Sequence, residues 1–552
     1  MSRPYNALRS LLRVLAGSRA TRAGESCGGT PSGAVSTARL SRGPAGVRRT
    51  PLRIPAAWAT IIAAVLLALL AACAPSSTVP PSPTAGTPGP LSNGSSDWLR
   101  FGFDPARSGV NPNETAITRD TVGKLHRLWQ MRLPDVADSS PAFVHGVKLS
   151  DGQTRDMLFV TTRDGRLIAL DAGGGGTIWA RQPSGARYTT SSPVVDPNRQ
   201  YVYAYGLDGS LHRYALATGE ETTGNGWPVL ISKMTQTEKE SSSLNIANGR
   251  VYVPTAGYPG DAPPYQGHVV VADAASGTST VFNTLCANLT HVLAQGECAQ
   301  NQSGIWARAG ALVDPETGNI FVVTGNGDYN ASSGGHDFGD SVIELSGDAT
   351  RILDSYTPAN YQELDDSDRD LGSTNPALLP RLAASKTPLL AVQGGKDGTL
   401  RVLNRQNLSG QGGLGHVGGE VQAIPSAACN VFTQPVVWTD PASARVWLFV
   451  AGTCATVGYQ VVTDSSGVTT LQQAWKLDTT GTTPVLAGGI LFLETTQQAI
   501  VALDPTTGKT LWSSANASAG GTIGSIHWES LIVVNGRLYA TDENATVSAF
   551  GL

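Results

Sequence analysis

Beyond residue 97 the chain repeats one pattern of apolar and polar positions. Apolar and polar residues alternate along a short segment, a turn with Gly follows, and a second alternating segment ends in an Asp, a Thr-Gly pair and sometimes a Trp. Eight segments show this pattern: 158–179, 201–221, 251–277, 320–346, 389–410, 446–462, 490–512 and 537–552. Alternation with a period of two predicts β-strands that are buried on one face.

The spacing of these repeats predicts the fold class. The repeats start 43 to 69 residues apart, and period-two strands recurring every 40 to 50 residues are typical of a β-propeller. A further short apolar stretch precedes each repeat, as at 191–196 and 375–380, which gives four strands per blade. We therefore predict an all-β, eight-bladed β-propeller of four-stranded blades over residues 98–552.

The segment 98–134 contains LHRLWQMRLP but no repeat of its own. We expect it to complete the last blade and close the ring, because closure removes the sheet edges that would otherwise pair with other chains.

Composition and charge narrow the class of partner. Gly is abundant (63 residues), Met is scarce (4) and only 15% of residues are charged, as expected for short strands joined by tight turns. The first 72 residues hold ten Arg and one Glu, so the formal charge of −4 becomes −13 for the remainder. An acidic body repels phosphate backbones, which excludes nucleic acid as an expected partner.

The N-terminal residues have the layout of a secretory signal. Residues 47–72 contain three Arg, an apolar run from Ala56 and small residues before Cys73. Leu70-Ala71-Ala72-Cys73 resembles a bacterial lipobox, which implies cleavage before Cys73 and lipidation of its thiol. An uncleaved membrane anchor is the alternative. Residues 1–46 fit no signal layout, and we expect them to be a leader upstream of the true start, for which Val47 is a candidate.

Residues 73–97 are rich in Pro, Ser and Thr and are predicted to form an extended tether between Cys73 and the propeller. We expect a monomer that is lipid-anchored at the cell membrane on its extracytoplasmic face. Its ligand, a protein or a small molecule, is not specified by the sequence.

Four of the six cysteines fall in the predicted propeller, since Cys27 is in the leader and Cys73 is in the lipobox. Three pairings of these four are possible. In an oxidising compartment we expect the two local disulfides, Cys286 with Cys298 and Cys429 with Cys454. There is no CxxC motif, which argues against metal or redox chemistry at these thiols.

The repeat has a specific resemblance. The segment 502–512, AlaLeuAspProThrThrGlyLysThrLeuTrp, resembles the repeat of the pyrroloquinoline-quinone (PQQ) propeller superfamily, in which a Trp at the end of one blade docks on the next. The resemblance implies blade-to-blade packing for Trp179 and Trp512. The segments 260–269, 303–308 and 354–360 are also similar to PQQ-like propeller lipoproteins of Gram-positive bacteria, a similarity that implies no activity.

The third and fourth repeats are over-long, and extra length in a propeller goes into loops on its faces. Three motifs in this region follow the order found in PQQ-dependent alcohol dehydrogenases: ThrGlyAsnGly (324–327), the acidic stretch 364–376 and GlyGlyLysAspGly (394–398). The resemblance implies that Asn326 is a Ca²⁺ ligand, Asp370 the catalytic base and Lys396 a contact to the quinone. Asp261 would replace a Glu that ligates Ca²⁺ in that family.

The chain also departs from the dehydrogenase pattern. Arg369 stands where that family has a Trp before the catalytic Asp, and Gln266 stands where it has an Arg that binds a PQQ carboxylate. The adjacent cysteine pair and the CxxCH haem motif are absent from the sequence. The missing Arg and Glu remove two contacts on which quinone affinity depends.

Two further sets of residues have two interpretations each. Asp366, Asp368 and Asp370 alternate along one loop, where they could gather a hard cation or form a solvated acidic turn. His336 and His527 have no second His at metal spacing, so we expect them to be packing or capping residues.

Two functions remain open. The first is a lipid-anchored binding or scaffolding module with its site on the face formed by the over-long repeats. The second is a PQQ- and Ca²⁺-dependent alcohol dehydrogenase. The sequence favours the first, because the contacts to PQQ are incomplete. The sequence has one GxSxG match, residues 24–28 in the predicted leader, and no HExxH or P-loop motif. The predicted propeller therefore lacks the sequence motifs of the common serine hydrolases, zinc proteases and P-loop nucleotide-binding proteins.

Overall fold

The computed structural model describes residues 97–185, 187–258 and 261–552. The predicted leader, the predicted signal peptide, Cys73 and the predicted tether up to residue 96 lie outside the described residues. Within them the chain forms eight antiparallel sheets, each with four strands that follow one another in sequence or, in the last sheet, join across the chain ends. These sheets are the eight predicted blades. In the described ranges no helix is long and apolar enough to cross a membrane.

Blades 1 to 4 are formed in chain order by residues 142–356. Blade 1 contains Ala142–Lys148, Thr154–Thr161, Leu167–Asp171 and Thr177–Arg181. Blade 2 contains Val194–Val195, Tyr201–Tyr205, Ser210–Ala215 and Val229–Leu230. Blade 3 contains Asn245–Ala247, Arg250–Pro254, His268–Asp273 and Ser279–Asn283. Blade 4 contains Leu312–Val313, Ile320–Val323, Val342–Leu345 and Ile352–Tyr356.

Blades 5 to 8 follow in the same way. Blade 5 contains Ala377–Leu378, Leu390–Gln393, Thr399–Asn404 and Gln422–Pro425. Blade 6 contains Val436–Thr439, Val446–Ala451, Thr456–Thr463 and Thr469–Leu477. Blade 7 contains Val485–Ala487, Ile490–Thr495, Ala499–Leu503 and Thr510–Ser513. Blade 8 contains Ile532–Val534, Arg537–Asp542, Thr546–Gly551 and, from the start of the propeller, His126–Arg132.

A few short elements lie outside the blades. A two-stranded ribbon pairs Glu238–Lys239 with Ala256–Gly257. The connection between blades 4 and 5 contains the α-helix Tyr361–Asp366. Short 3-10 helices are formed by Val122–Lys124, Ala331–Ser333, Leu371–Ser373 and Ala517–Ala519.

The N-terminal segment closes the ring, as predicted. His126–Arg132 pairs antiparallel with Thr546–Gly551 and forms the outer strand of blade 8. The same segment also serves two other blades, which the sequence did not indicate. Val110–Asn111 adds a parallel fifth strand to blade 7, and Trp98 forms a β-bridge with Phe143 of blade 1. The start of the propeller therefore connects blades 7, 8 and 1.

The core lies between neighbouring blades. Tyr203 and Val194 of blade 2 pack in one cluster with Val251 and Val270 of blade 3, and similar clusters fill the other blade interfaces. Blades 7, 8 and 1 share a single cluster. Each blade is therefore buried on both faces only because it has two neighbours.

The Trp at the end of a repeat docks on the next blade. Trp179 Nε1 donates a hydrogen bond to Leu216 O (3.1 Å), and Trp512 Nε1 donates one to Leu125 O (3.0 Å). The ring of Trp179 lies on Gly219 of the next Thr-Gly turn, where a Cβ would be only 2.6 Å from the ring. The Thr-Gly and Trp of the repeat are thus two halves of one contact between successive blades.

The two predicted disulfides are formed. Cys286 and Cys298 are bonded with their Cα atoms 6.1 Å apart, and Cys429 and Cys454 with theirs 5.7 Å apart. The first fixes the loop that precedes blade 4, and the second joins the loop before blade 6 to a turn within blade 6.

Because Trp179 packs between blades 1 and 2, its removal should destabilise the ring. Trp179→Ala should lower the free energy of unfolding by about 3–5 kcal/mol, the cost of a large cavity in a packed core. Thermal or denaturant unfolding measures this loss. Trp438→Ala, at a half-buried position in blade 6, is the matched control and should cost clearly less; equal losses would contradict the docking role.

Glu494 of blade 7 gives a stability prediction that depends on pH. It is fully buried and its Oε1 has no hydrogen-bond partner among the described residues. Burial raises its pKa to about 8. A carboxyl group with a raised pKa destabilises the folded state as pH rises from the unfolded value of 4.5 to the folded value of about 8.

Glu494→Gln, which mimics the protonated form, should therefore stabilise the protein by on the order of 3 kcal/mol at pH 7. The gain should vanish near pH 4. Urea unfolding of both proteins at several pH values tests this, and a gain that did not depend on pH would contradict the assigned ionisation.

Candidate functional site

The long connections of blades 3, 4 and 5 open on one end of the ring. In a four-stranded antiparallel blade, the turn between the second and third strands lies at the same end as the connection to the next blade. We call this end the insertion face. In these blades it is formed by the described residues of 255–258 and 261–267, by 284–311, 324–341 and 357–376, and by the shorter turn 394–398.

The structure brings Asn326, Asp370 and Lys396 into contact on the insertion face. Asp370 is only 4% exposed and accepts a hydrogen bond at Oδ1 from the backbone N of Asn326 (2.9 Å). Its Oδ2 forms an ion pair with Lys396 Nζ. Burial lowers the pKa of Lys396, but the charges of Asp370 and Asp368 outweigh it and raise that pKa above its usual value. The ammonium group is thus held in its charged form.

A glycine makes this contact possible. A Cβ on Gly325 would lie 2.1 Å from Asp370 Oδ1, so any side chain there would displace the carboxylate. The ThrGlyAsn stretch therefore has a steric requirement: Gly325 admits the carboxylate and Asn326 donates to it. This is a local reason for the motif that holds whatever ligand the face takes.

Asp368 joins this cluster and Asp366 does not. Asp368 Oδ1 lies 3.1 Å from Lys396 Nζ and accepts a hydrogen bond from Asn326 Nδ2 (3.2 Å). Asp366 is exposed as the last residue of the helix Tyr361–Asp366, and no hydrogen bond or ion pair of the described residues joins it to the cluster. Of the two interpretations of these alternating carboxylates, the exposed position of Asp366 favours the solvated turn for that residue, because the helix ends between it and Asp368.

Asp261 lies beside the same cluster. Its carboxylate accepts hydrogen bonds from Tyr265 OH and from Gln302 Nε2 (2.7 Å). Burial raises its pKa to about 6, and the charges of Asp370 and Asp368 add to the rise. The excess of negative charge around Asp261 would be relieved by a bound cation.

Trp306 was not singled out by the sequence as a site residue. Its ring packs edge-on against Tyr265 with centroids 5.8 Å apart, and it lies 2.9 Å from the position of a Cβ on Gly325. A half-buried indole thus borders the Asp370 cluster. One feature of the sequence could have identified Trp306: it lies in an over-long loop, whereas the Trp residues that pack between blades lie at the ends of repeats.

A cluster of cations and aromatic rings on the same face was also missed. The rings of Tyr188 and Tyr258 meet edge-on with centroids 5.2 Å apart. Arg163, Arg187 and Lys239 each lie over one or both rings. These residues come from blade 1, from the loop after it and from the ribbon, so no local pattern connects them.

Lys239 is the most unusual member of this cluster. It is 3% exposed, and its Nζ donates to the hydroxyls of Thr190 (3.1 Å) and Ser241 (2.8 Å). Burial, together with the charge of Arg308, lowers its pKa to about 7. The charges of Asp138 and Glu240 act in the opposite direction, and an anionic ligand close to the amine would further stabilise its charged form.

Three other expectations have clear outcomes. Gln266 is buried, and its Nε2 donates to Gln300 O (2.7 Å), a structural role. Arg369 is exposed and its guanidinium lies 3.6 Å from Glu363. The sequence showed no partner for His527. In the structure its Nδ1 lies 2.8 Å from Asp138 Oδ2, because ring closure brings together residues 389 positions apart.

The charge balance of the insertion face shows what the site can bind. Around Lys396 lie the carboxylates of Asp261, Asp340, Asp368 and Asp370. Two oxygens point to a missing partner: Asn326 Oδ1 and Asp340 Oδ2 are buried and unpaired among the described residues. Carboxylate and amide oxygens are the ligands that Ca²⁺ prefers.

Comparison with known structures gives the same fold. A quinohemoprotein alcohol dehydrogenase from Pseudomonas putida HK5 has a TM-score of 0.58 and 15% identity, over 83% of this chain and 80% of that one. The quinohemoprotein alcohol dehydrogenase of Comamonas testosteroni also has a TM-score of 0.58 and 15% identity, over 82% and 80%. For a europium-containing methanol dehydrogenase the TM-score is 0.58 and the identity 14%, over 83% and 98%.

No curated protein matches the chain. The family model described as "Glucose/ethanol/alcohol dehydrogenase, beta-propeller domain" matches residues 98–410 and 459–543, which include every residue of the Asp370 cluster and all or part of every blade. The chain therefore belongs to the family of the β-propeller domain of glucose, ethanol and alcohol dehydrogenases.

Proposed function

We propose that the chain is a PQQ- and Ca²⁺-dependent dehydrogenase that oxidises an alcohol on the insertion face. The observation that carries the proposal is the Asp370 carboxylate, buried and held between Asn326 N and Lys396 Nζ, beside an amide oxygen that has no partner. The family match and the order of the three motifs support it.

The residues present fit both parts of the cofactor. Asn326 Oδ1 is an unpaired buried acceptor, and Asp261 adds a carboxylate in a region of excess negative charge, so these two would hold Ca²⁺. PQQ carries carboxylates, for which Lys239 and Arg163 are available cations. The sequence had favoured a binding module because Gln266 replaces an Arg, and Lys239 and Arg163 compensate for that loss from other blades. The indole of Trp306 offers a surface on which a planar ring can stack.

Asp370 would act as the base. Its carboxylate would accept the hydroxyl proton of the alcohol, and the hydrogen bond from Asn326 N and the ion pair with Lys396 fix its orientation. PQQ, when bound with Ca²⁺, supplies a polarised carbonyl carbon that accepts a hydride from the alcohol carbon. Burial of Asp370 keeps bulk water from competing for the carboxylate.

A binding or scaffolding module is the second candidate. It is favoured by the contacts of Lys396, which pairs with both Asp368 and Asp370. In that case the ion pairs stabilise the insertion loops and Asp370 takes no part in chemistry. Exposed Arg369, in place of a Trp, agrees with this alternative.

Calorimetry with PQQ and Ca²⁺ separates the two candidates. Heat of binding at micromolar protein that disappears on chelation of Ca²⁺ is the expected result. Asp370→Asn should keep the affinity within a few-fold and abolish dye-linked alcohol oxidation, because it removes only the proton acceptor.

Asp366→Asn, at an exposed carboxylate outside the cluster, is the matched control and should keep both binding and turnover. The absence of heat with PQQ and Ca²⁺ would contradict the dehydrogenase and leave the binding module. Turnover retained by Asp370→Asn would remove Asp370 from the mechanism.

We also propose that the propeller is tethered to the extracytoplasmic face of the cell membrane through lipidated Cys73. The apolar segment before Cys73 and the Pro-rich segment after it support this. The two disulfides of the propeller are in keeping with an oxidising compartment.

Lipidation can be tested in a bacterial host that processes lipoproteins. The full chain should incorporate a labelled fatty acid and sediment with membranes, and Cys73→Ala should do neither. Cys27→Ala is the control, since that cysteine lies in the predicted leader and its loss should change nothing. Labelling of Cys73→Ala would refute the lipobox assignment.

A further inference from the structure

A second group of candidate ligands lies on the insertion face, where blade 8 meets blade 1. It consists of Asp138, His527, Glu529 and Glu543. Asp138 precedes blade 1, His527 and Glu529 precede the first strand of blade 8, and Glu543 lies in the turn after Arg537–Asp542. One ligand atom each from Asp138, His527 and Glu543 lie within 4.8 Å of one another.

Asp138 and His527 form the centre of this group. The Asp138 side chain is fully buried, and its Oδ2 lies 2.8 Å from His527 Nδ1. Its Oδ1 accepts a hydrogen bond from the backbone N of Trp528 (3.0 Å). The His527 side chain is 46% exposed, so the imidazole extends from a buried carboxylate toward the surface.

Glu529 supplies the observation that points to a missing ligand. It is 1% exposed and its Oε2 accepts a hydrogen bond from the backbone N of His527 (2.5 Å). Its Oε1 is buried and has no hydrogen-bond partner among the described residues. The same side chain interacts with Glu543 and acts electrostatically on Asp138, so the unpaired oxygen belongs to a group that contains two more carboxylates.

Glu543 has a similar gap. Its Oε1 is also buried and has no hydrogen-bond donor within the described ranges, and its Oε2 lies 3.4 Å from Arg163. The other nearby cation, Arg308, directs its guanidinium at backbone oxygens, including Asp138 O at 2.9 Å. The carboxylates of Asp138 and Glu543 therefore lie together with the His527 imidazole. Arg163 pairs with one oxygen of Glu543, and Arg308 donates to backbone oxygens and not to these carboxylates.

A cavity provides access to the group. A cavity of about 280 Å³ is bounded by His527, Trp528 and Glu529 and, on its other sides, by blades 6 and 7. It can hold water or a small ligand that would complete a coordination sphere.

We propose that Asp138, His527 and Glu543 bind a divalent first-row transition metal ion such as Zn²⁺, and that the unpaired Oε1 of Glu529 moves in as a fourth ligand. An imidazole with carboxylates suits these ions, whereas Ca²⁺ and Mg²⁺ prefer oxygen alone. Ligand atoms around such an ion are about 3 Å apart, close to the 2.8 Å between His527 Nδ1 and Asp138 Oδ2. The remaining atoms would move inward from their 4.8 Å limit.

The site has a structural consequence. Asp138 comes from the start of the propeller and the other three ligands come from its end. A bound ion would therefore cross-link the two ends of the chain at the closure of the ring, and the group forms only when the ring is closed. This inference does not depend on the proposed dehydrogenase function.

Calorimetry with Zn²⁺ tests the site on the full propeller. Excess Ca²⁺ is present throughout, so that oxygen-only sites such as the Asp370 cluster are occupied. We expect one Zn²⁺ per chain and a loss of affinity of at least about tenfold in His527→Ala, the usual effect of losing one metal ligand or its support. His126→Ala, an exposed histidine on the outer strand of blade 8, is the matched control and should bind as the parent does.

Glu543→Gln is a second test that leaves buried Asp138 unchanged. It should also lower the affinity for Zn²⁺. Visible absorption of Co²⁺ substituted for Zn²⁺ should show nitrogen and oxygen ligation that His527→Ala alters. Failure of the parent protein to bind Zn²⁺, or equal binding by His527→Ala and the parent, would overturn the proposal.

Discussion

The structure depends on one constraint: a four-stranded blade cannot bury both of its faces by itself. Each blade is covered only when a neighbour packs on either side, and the last gap is filled by His126–Arg132 pairing with Thr546–Gly551. The Trp-on-Gly contact repeats this solution around the ring. Trp179 rests on Gly219, and similar contacts are made by Trp129 on Gly175 and Trp475 on Gly508. We therefore expect the ring to unfold as one cooperative unit, in which closure brings residues from both ends of the propeller into contact.

Once the ring is closed, the loops of the insertion face lie close together, and they are not strands of the blades. They are consequently free to carry charge. Around Lys396 the carboxylates exceed the cations, whereas Tyr188 and Tyr258 are surrounded by arginines and Lys239. An acidic cluster around Lys396 and a cluster of cations around the two tyrosines can hold a metal ion and an anionic ligand on one face, and this combination is the physical basis of the proposed cofactor site.

The family relationship fixes the scaffold more firmly than the chemistry. At 14–15% identity, the likeness to the solved dehydrogenases extends to the fold alone. Asp370 and Lys396 form an ion pair that stabilises the loops in either candidate function. The residues that distinguish the candidates are Asn326, whose Oδ1 has no hydrogen-bond partner among the described residues, and Lys239, a buried amine held by two hydroxyl groups.

The sequence by itself determined the blades, because alternation and turn residues act over a few neighbouring positions. The eight repeats and the four strands per blade follow from such short-range patterns. Both local disulfides were expected from the closeness of the cysteines in sequence, and the roles of Trp179 and Trp512 from the resemblance to the PQQ propeller repeat. The contact of Asn326, Asp370 and Lys396 was also anticipated, since it rests on motifs in known order. Only the tertiary structure decided that Asp366 lies outside the cluster and that Lys239 and Arg163 lie near it. It alone joined His527 to Asp138, because contacts between residues hundreds of positions apart arise from ring closure and leave no local pattern in the chain.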